Sequence, residues 1–367
     1  MIELRTYQTR LLATIKAALD DGYRRPLVVL PTGGGKTIVF AEAIRRAVAD
    51  HGKTLVLAHR REIITQTAGK LTANGVVPGI IMAGVDPRPT LAVQVASIQT
   101  LFARGIKRET LALPPADLGV IDEAHHVLAA SYQQIVEAYP DTCWLGFTAT
   151  PARGDGRNLG GFFDVLIEGP QVQELIDLQC LVSTRVYAPF VPNLDRVGTR
   201  GGDYITTQLA ERMDKPKLVG DIVEHWLRFG KDRPTVVFAS SVGHSVHLRD
   251  AFRDAGVRTG QIDGTTPKPE REAALAQLAS GEITVLCNCM VLSEGWDCPE
   301  VGCCVLARPT KSMGLYRQMI GRVLRPADEE RRHHPRPCRL CLSSWLCRGS
   351  RRMDVEPRHP SGPQSDP

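Results

Sequence analysis

The 367-residue sequence lacks long apolar runs, and no stretch approaches the roughly 20 residues that a membrane-spanning helix needs. The amino terminus, Met-Ile-Glu-Leu-Arg, carries no apolar signal segment. Aromatic residues make up only 5%, so rows of stacking rings that hold single strands are not obvious. The net charge of +5 is small for this length. It permits an anionic partner, and any basic groove that binds one must be local. We therefore expect a cytoplasmic protein with no membrane contact.

Ten cysteines are present, but without a signal segment they favour reduced thiols over a disulfide framework. Four of them lie in predicted strands, at Cys287, Cys289, Cys303 and Cys304. Cysteine behaves there as a small apolar side chain. We interpret these four as core residues.

Short apolar segments alternate with amphipathic ones along most of the chain, after a predicted helix at residues 5–19. The predicted strands are residues 27–30, 54–58, 93–96, 118–121, 144–147, 235–239, 284–287 and 301–306. They are apolar nearly throughout, as strands buried on both faces are. The fold class is therefore α/β, with two parallel-sheet lobes at residues 1–180 and 181–327.

Residues 328–367 break this pattern. From Asp328 onward there are six prolines and eight arginines without a helical or strand period, which predicts a mostly disordered tail. Cys338, Cys341 and Cys347 lie near His333 and His334, but they offer only one clean ligand pair, so we do not expect zinc. We hypothesise that this end is truncated or read out of frame.

Residues 31–37, here called the phosphate loop, read Pro-Thr-Gly-Gly-Gly-Lys-Thr between a predicted strand and a predicted helix. The glycines, Gly33, Gly34 and Gly35, let backbone N–H groups face phosphate oxygens at a helix N-terminus. Thr32 belongs to the same loop, Lys36 is placed to bridge the β- and γ-phosphates of ATP, and Thr37 to bind Mg²⁺. Leu30 stands where the full pattern has its first glycine, and an incidental glycine-rich turn is the alternative.

An acidic pair follows another buried strand, where ligands bind in open α/β sheets. We expect Asp122 to hold Mg²⁺ through water and Glu123 to orient and deprotonate the attacking water. We expect His125 to sense the γ-phosphate, and His126 to be exposed or locally packed. An acidic helix cap is the alternative interpretation.

A basic segment lies about 285 residues further along the chain than the phosphate loop. Gln318, Arg322 and Arg325 fall on a predicted helix, where residues three apart share a face. Arginines that reach the γ-phosphate from the second lobe would stabilise the transition state and make nucleotide-driven closure possible. Surface arginines on a solvated helix are the alternative.

These motifs, over residues 5–326, resemble those of the superfamily-2 helicases with a DEAH-type motif, and within them RadD-like proteins and the helicase subunits of type III restriction systems. The supporting segments are residues 5–8, 57–62, 96–101, 148–150, 200–204, 263–267, 293–297, 308–312 and 318–325. The resemblance implies two RecA-like lobes with ATP between them and nucleic acid across their tops. It assigns ATP binding to Arg5, Gln8, Gly295 and Asp297.

The resemblance also implies DNA as the partner and a role in DNA repair. Candidate phosphate contacts are Arg60, Ser97, Thr100, Ser240 and Thr266, although each side chain could instead be a cap or a surface residue. Contacts of this kind carry no sequence code, so binding should be sequence-neutral and salt-sensitive.

Three functions follow from these patterns. The first is a nucleic-acid-dependent ATPase, a helicase or translocase. The second is a truncated, catalytically impaired fragment that binds nucleotide and DNA. The third is an NTP-using enzyme of another kind, such as a small-molecule kinase, whose chemistry would not need the element at residues 318–325.

Overall fold

The computed structural model describes residues 3–150, 159–188, 192–292, 296, 298, 300–321, 323–324 and 339–343. Within these ranges no helix is both long and apolar enough to cross a membrane. The strands form two separate parallel sheets and one short hairpin.

The first lobe is a seven-stranded parallel sheet. Its strands are β1 (Pro26–Val29), β2 (Thr54–Ala58), β3 (Gly79–Ile81), β4 (Val93–Ser97), β5 (Leu118–Asp122), β6 (Cys143–Thr148) and β7 (Val165–Glu168). Their spatial order is β3-β4-β2-β5-β6-β1-β7. The helices are α1 (Thr6–Asp20), α2 (Lys36–Ala49), α3 (Arg61–Ala73), α4 (Ile98–Leu101), α5 (Ala130–Glu137) and α6 (Val172–Asp177). A π-helix spans Phe102–Lys107, and 3-10 turns span Ala124–His126 and Leu159–Gly161.

Both faces of this sheet are covered, which explains why its strands are apolar throughout. In β2, Val56 packs into the core cluster that includes residues of α1 and α2, whereas Leu55 and Leu57 pack into the opposite cluster. Successive strand side chains point to opposite faces, so a strand buried on both faces needs apolar residues at every position. The strands predicted in this lobe are confirmed, with boundary shifts of one residue.

The second lobe contains a six-stranded parallel sheet with the order β12-β13-β11-β14-β15-β8. Its strands are β8 (Thr184–Tyr187), β11 (Thr235–Phe238), β12 (Thr259–Ile262), β13 (Val285–Asn288), β14 (Cys303–Leu306) and β15 (Arg339–Ser343). A hairpin is formed by β9 (Thr199–Arg200) and β10 (Asp203–Tyr204). The helices are α7 (Thr206–Met213), α8 (Pro216–Phe229), α9 (Val242–Asp254), α10 (Lys268–Ser280) and α11 (Met313–Gly321). The chain changes sheets between Glu168 and Thr184, a segment that contains the predicted division at 180–181.

The tail contributes a strand that the sequence analysis did not predict. β15 lies between β14 and β8, and its Cys341 is the register partner of Cys304 on one side and of Val186 on the other. The expectation of a disordered tail is therefore wrong for these five residues. Hydrogen bonds from two neighbouring strands stabilise a segment whose own length and composition were too weak to mark it. The candidate zinc residues His333, His334, Cys338 and Cys347, like the rest of the tail, lie outside the described residues.

The cysteine interpretation is confirmed for Cys287, Cys303 and Cys304, which are fully buried in the second-lobe core. Cys289 is only half-buried. Burial in apolar surroundings raises the pKa of the Cys287 thiol, as expected for an inert core residue.

Candidate nucleotide and nucleic-acid site

The phosphate loop turns directly from β1 into α2 through two glycines in the left-handed region, Gly33 (φ 84°) and Gly35 (φ 79°). Gly35 is the N-cap of α2. The left-handed backbone favours glycine at position 35, and a Cβ atom there would lie 2.5 Å from the Gln8 side-chain nitrogen, so that amide would have to move. The loop thus presents the amino end of a 14-residue helix, an arrangement that attracts phosphate.

The first turn of α1 packs against this loop. The Tyr7 hydroxyl donates to the Gly34 carbonyl at 2.9 Å, and Gln8 is buried. The Arg5 backbone N–H donates to Gln8 Oε1 at 3.0 Å, which holds the amide beside Gly35. The structure therefore brings Arg5 and Gln8 to the phosphate loop, and their role in adenine recognition stays a prediction.

The acidic strand end and the phosphate loop share one cleft of about 210 Å³. Residues of the phosphate loop, together with Asp122 and Glu123 at the end of β5, line it as the sequence predicted. Lys36 Nζ donates to the Leu30 carbonyl at 3.2 Å, so the ammonium lies over the loop itself. Phosphate-binding and carboxylate groups that are about 86 residues apart in sequence are thus neighbours.

Sequence reasoning missed one wall of this cleft. Four residues of α3 line it: Ile63, Gln66, Thr67 and Lys70. Right-handed crossovers place α2 and α3 on the same face of the sheet. This rule is the one signal from which a position of α3 beside the cleft could have been inferred. Lys70 is close enough to Asp122 to lower the pKa of its carboxyl.

Burial and, after it, the neighbouring Glu123 raise the pKa of the Asp122 carboxyl, and Lys36 lowers it, which together leave this pKa at about 6. A divalent cation would relieve this repulsion. The Thr37 hydroxyl and the two carboxylates line the same cleft and are hard oxygen donors. This donor set fits Mg²⁺, with Thr37 and Asp122 as the predicted ligands.

The raised pKa predicts that Asp122→Asn stabilises the protein without nucleotide and metal. The folded state binds the Asp122 proton more tightly than the unfolded state, so stability falls as pH rises from the ordinary value of 3.8 through about 6. At pH 7.5 the variant should gain up to about 3 kcal/mol in the free energy of unfolding, and the gain should shrink as pH falls from about 6 to 3.8. Urea denaturation of the variant and the wild type, at pH 7.5 and at about pH 4, measures the difference in the free energy of unfolding.

Asp263→Asn is the contrasting control. Hydrogen bonds from Thr265 and Gln261 lower the pKa of the Asp263 carboxyl, so its charge stabilises the fold and this variant should be less stable at pH 7.5. An Asp122→Asn variant that is less stable than the wild type at pH 7.5 would contradict the burial argument.

A chain of polar contacts links Glu123 to the neighbouring strand. Glu123 has a left-handed backbone (φ 52°), which turns the chain into the following 3-10 turn. Its Oε2 lies 3.4 Å from His125 Nδ1, and the same nitrogen lies 3.5 Å from Thr148 Oγ1. Thr148 Oγ1 in turn accepts from the Thr150 N–H at 3.2 Å and donates to the Thr150 carbonyl at 2.9 Å. The segment at residues 148–150 is thus tied to the acidic strand end.

The second lobe touches the phosphate loop through α11. A Cβ atom at Gly321 would lie 2.7 Å from the Thr32 methyl group, so the end of α11 and the loop are in direct contact. Leu324 packs into the core cluster of the first lobe, and its carbonyl accepts the Val182 N–H at 2.8 Å. Gln318 is buried on the same helix.

Arg322, Arg325, Gly295 and Asp297 lie outside the described residues. The prediction that Arg322 and Arg325 share one helical face therefore stays a prediction, and the last described residue of α11 is Gly321. Val323 continues in a turn, with its N–H on the Ile320 carbonyl at 2.9 Å.

Three nucleic-acid candidates lie together at the carboxyl ends of β2 and β4. Arg60 is the N-cap residue of α3, and Ser97 is the N-cap residue of α4. Ala58 and Ser97 are register partners in the sheet, so these helix starts are neighbours. Ser97 Oγ accepts the Thr100 N–H at 3.4 Å, and Thr100 itself is buried. The capping alternative therefore holds for Ser97.

The second-lobe candidates also have local hydrogen bonds. Ser240 is fully buried, with its hydroxyl 2.7 Å from His244 Nδ1. Thr266 Oγ1 accepts the Asp263 N–H at 2.9 Å. In this conformation Ser240 does not face solvent, whereas Thr266 lies in the turn that leads into α10.

Two family descriptions match the chain. Residues 1–153 match "Type III restriction enzyme, res subunit", and residues 214–327 match "Helicase conserved C-terminal domain". The chain is 31% identical to the "51.5 kDa protein" of a Lactococcus phage over 82% of this chain and 62% of that protein. It is 31% identical to "Putative ATP-dependent helicase IRC3" of Saccharomyces cerevisiae over 88% of this chain and 49% of that protein. The chain thus spans about half to three fifths of these relatives' lengths.

More distant similarities agree. The chain is 24% identical to "DNA 3'-5' translocase XPB2" of Sulfurisphaera tokodaii over 90% of this chain and 80% of that protein. The helicase domain of Pyrococcus furiosus Hef superposes with a TM-score of 0.57 at 16% identity, covering 93% of this chain and 95% of that one. The DNA-bound type ISP restriction-modification enzyme LlaBIII superposes with a TM-score of 0.69 at 16% identity, covering 94% and 28%.

The two sheets and these structural similarities confirm the expected α/β architecture of two RecA-like lobes in tandem. The matched segments follow the order in which the phosphate loop, the acidic strand end and the arginine element occur along the chain. The chain thus combines an amino-terminal domain of the type III restriction res-subunit kind with a helicase carboxyl-terminal domain, which confirms its resemblance to the superfamily-2 helicases.

Proposed function

We propose that this chain couples ATP hydrolysis to movement along DNA, as a helicase or translocase. The observation that carries this proposal is the contact between Gly321 and Thr32. It places the residue before Arg322 against the phosphate loop, so that both lobes border one nucleotide site. A nucleotide held between two lobes favours closure while its γ-phosphate is present, and hydrolysis releases that closure.

Hydrolysis is assigned to groups on the cleft wall. Glu123 would accept a proton from the attacking water, and His125 beside it would hold the carboxylate in place. Lys36 would swing from the Leu30 carbonyl to the β- and γ-phosphates. Thr37 and Asp122 would hold Mg²⁺, which neutralises charge on the phosphates.

The lobes are also linked at the nucleic-acid side. Arg271 of α10 donates to Glu62 of α3 at 3.3 Å, and both side chains are half-buried. Glu62 lies two residues after Arg60. Movement of the second lobe would therefore displace α3 through the Arg271–Glu62 contact, and with it a nucleic-acid strand bound at Arg60. We therefore assign nucleic acid to the surface around Arg60 and the Ser97-capped start of α4 in the first lobe and around Thr266 in the second.

DNA as the substrate is supported by the names of the relatives, which include a DNA translocase and a DNA-bound restriction enzyme. A role in DNA repair and a cytoplasmic location are part of the same proposal. The second candidate is a nucleotide- and DNA-binding fragment with impaired catalysis.

The test is ATP hydrolysis with and without single-stranded DNA, duplex DNA and RNA. We expect several-fold stimulation by DNA, and affinity for single-stranded DNA that falls about 10- to 100-fold between 50 and 200 mM salt. The salt effect follows from release of counterions when a few phosphates are neutralised. A Lys36→Ala preparation controls for contaminating ATPase activity. ATP and DNA binding without stimulation would instead identify the impaired fragment, and salt-independent DNA affinity would contradict the assigned surface.

A further inference from the structure

Three histidine rings form a continuous contact between the acidic strand end and the predicted nucleic-acid surface. The His126 ring lies between the other two, with its centroid 4.1 Å from that of His125 and 4.5 Å from that of His59. The interplanar angles of 44° and 60° give tilted packing. His126 follows the catalytic carboxylates on the 3-10 turn, whereas His59 follows β2, the strand beside β5.

Each end of this ring contact reaches a different part of the site. At one end, His125 Nδ1 lies 3.4 Å from Glu123 Oε2. At the other end, the His59 carbonyl accepts the Gln99 side-chain N–H at 3.0 Å, and Gln99 Oε1 accepts the Ser97 hydroxyl at 2.9 Å. His59 also directly precedes Arg60, the N-cap residue of α3. The junctions β2–α3 and β4–α4 are thus connected to the catalytic carboxylate.

We infer that His126 is a positioning residue that transmits nucleic-acid binding to Glu123. This inference rests on the proposed function. Phosphates bound at Arg60, beside the Ser97-capped start of α4, would hold the two strand–helix junctions in one arrangement, and with them the His59 ring. Because His126 packs between His59 and His125, that arrangement restricts the His125 ring, which in turn fixes the Glu123 carboxylate toward the attacking water. DNA therefore raises kcat through this contact, without changing how tightly ATP binds.

The experiment compares His126→Ala with His126→Phe in DNA-stimulated ATP hydrolysis. Couplings between sites typically amount to 5- to 150-fold, so we expect alanine to lower the stimulation of kcat by about 5-fold or more. The basal kcat, the KM for ATP and the Kd for DNA should stay within about 2-fold of the wild type, since the residue touches neither ligand. Phenylalanine keeps a ring in the same place and should retain most of the stimulation.

A double-mutant cycle with His59→Ala tests whether the two rings act together. If they lie on one path, the double variant should lose no more stimulation than either single variant. His225→Ala, which removes a histidine ring packed on Phe229 in the second lobe, is the matched control and should leave stimulation unchanged. Thermal melting of each variant identifies any loss of folding.

Several results would overturn the inference. Undiminished stimulation in His126→Ala would remove it, and so would multiplicative losses in the double variant. Equal loss of basal and stimulated kcat would show a purely structural role. Weaker DNA binding with full stimulation at saturation would place His126 in the binding surface instead. Absence of DNA stimulation in the wild type would overturn the proposed function itself, which is a distinguishable failure.

Discussion

Replacing Glu123 with glutamine should lower the kcat of ATP hydrolysis by about 10²- to 10⁴-fold while ATP still binds. Glutamine keeps the size of the side chain but cannot accept a proton from water. Glu123 is mostly buried beside His125 and lines the cleft with Lys36 and Thr37. Bulk water therefore cannot easily take over its role as the proton acceptor. Single-turnover hydrolysis and equilibrium binding of a fluorescent ATP analogue measure the two quantities separately.

Glu137→Gln is the matched control, because Glu137 is an exposed carboxylate at the end of α5. It should hydrolyse ATP like the wild type. Near-normal turnover in Glu123→Gln would remove Glu123 as the base. Loss of ATP binding in the same variant would show that the carboxylate mainly holds the nucleotide site together.

Replacing Arg325 with alanine should lower kcat by about 10³-fold or more with nucleotide binding largely intact. An arginine supplied to the γ-phosphate stabilises charge that develops only in the transition state. Although Arg325 lies outside the described residues, its neighbour Leu324 packs in the first-lobe core and Gly321 contacts Thr32. The described residues that precede it, Gly321 and Leu324, are therefore held against the nucleotide-binding lobe.

Arg228→Ala serves as the charge-matched comparison, since Arg228 is exposed on α8 with its guanidinium over the Phe229 ring. Its kcat should match that of the wild type. Equal turnover in Arg325→Ala and wild type would refute the assignment, and the proposed closure mechanism would then depend on Arg322 alone. A combined Arg322→Ala and Arg325→Ala variant distinguishes these possibilities.

The parts of the site that were predictable are those encoded within a few consecutive residues. The phosphate loop is one such part, because its glycines and Lys36 follow an apolar strand directly. The Asp122–Glu123 pair is another, since it ends a strand that is buried on both faces. In each case the strand fixes where the polar residues emerge, so local pattern and tertiary position agree.

The parts that were not predictable depend on neighbours distant in sequence. β15 forms because it pairs with β14 on one side and β8 on the other. Lys70 and Gln66 reach the cleft because α3 packs beside α2, and helical periodicity does not report which face of a helix borders a ligand. Leu324 likewise packs in the core of the other lobe, a contact that no local pattern reports.

The sequence by itself determined the α/β class, the order of the motifs and the chemical groups available for ATP hydrolysis. These depend on strand polarity and on backbone conformations that only certain residues adopt. Tertiary structure alone decided that Thr32 meets Gly321 and that His126 packs between His59 and His125. Such contacts join segments on different strands or lobes, and they form only when the sheets have assembled and buried the side chains between them.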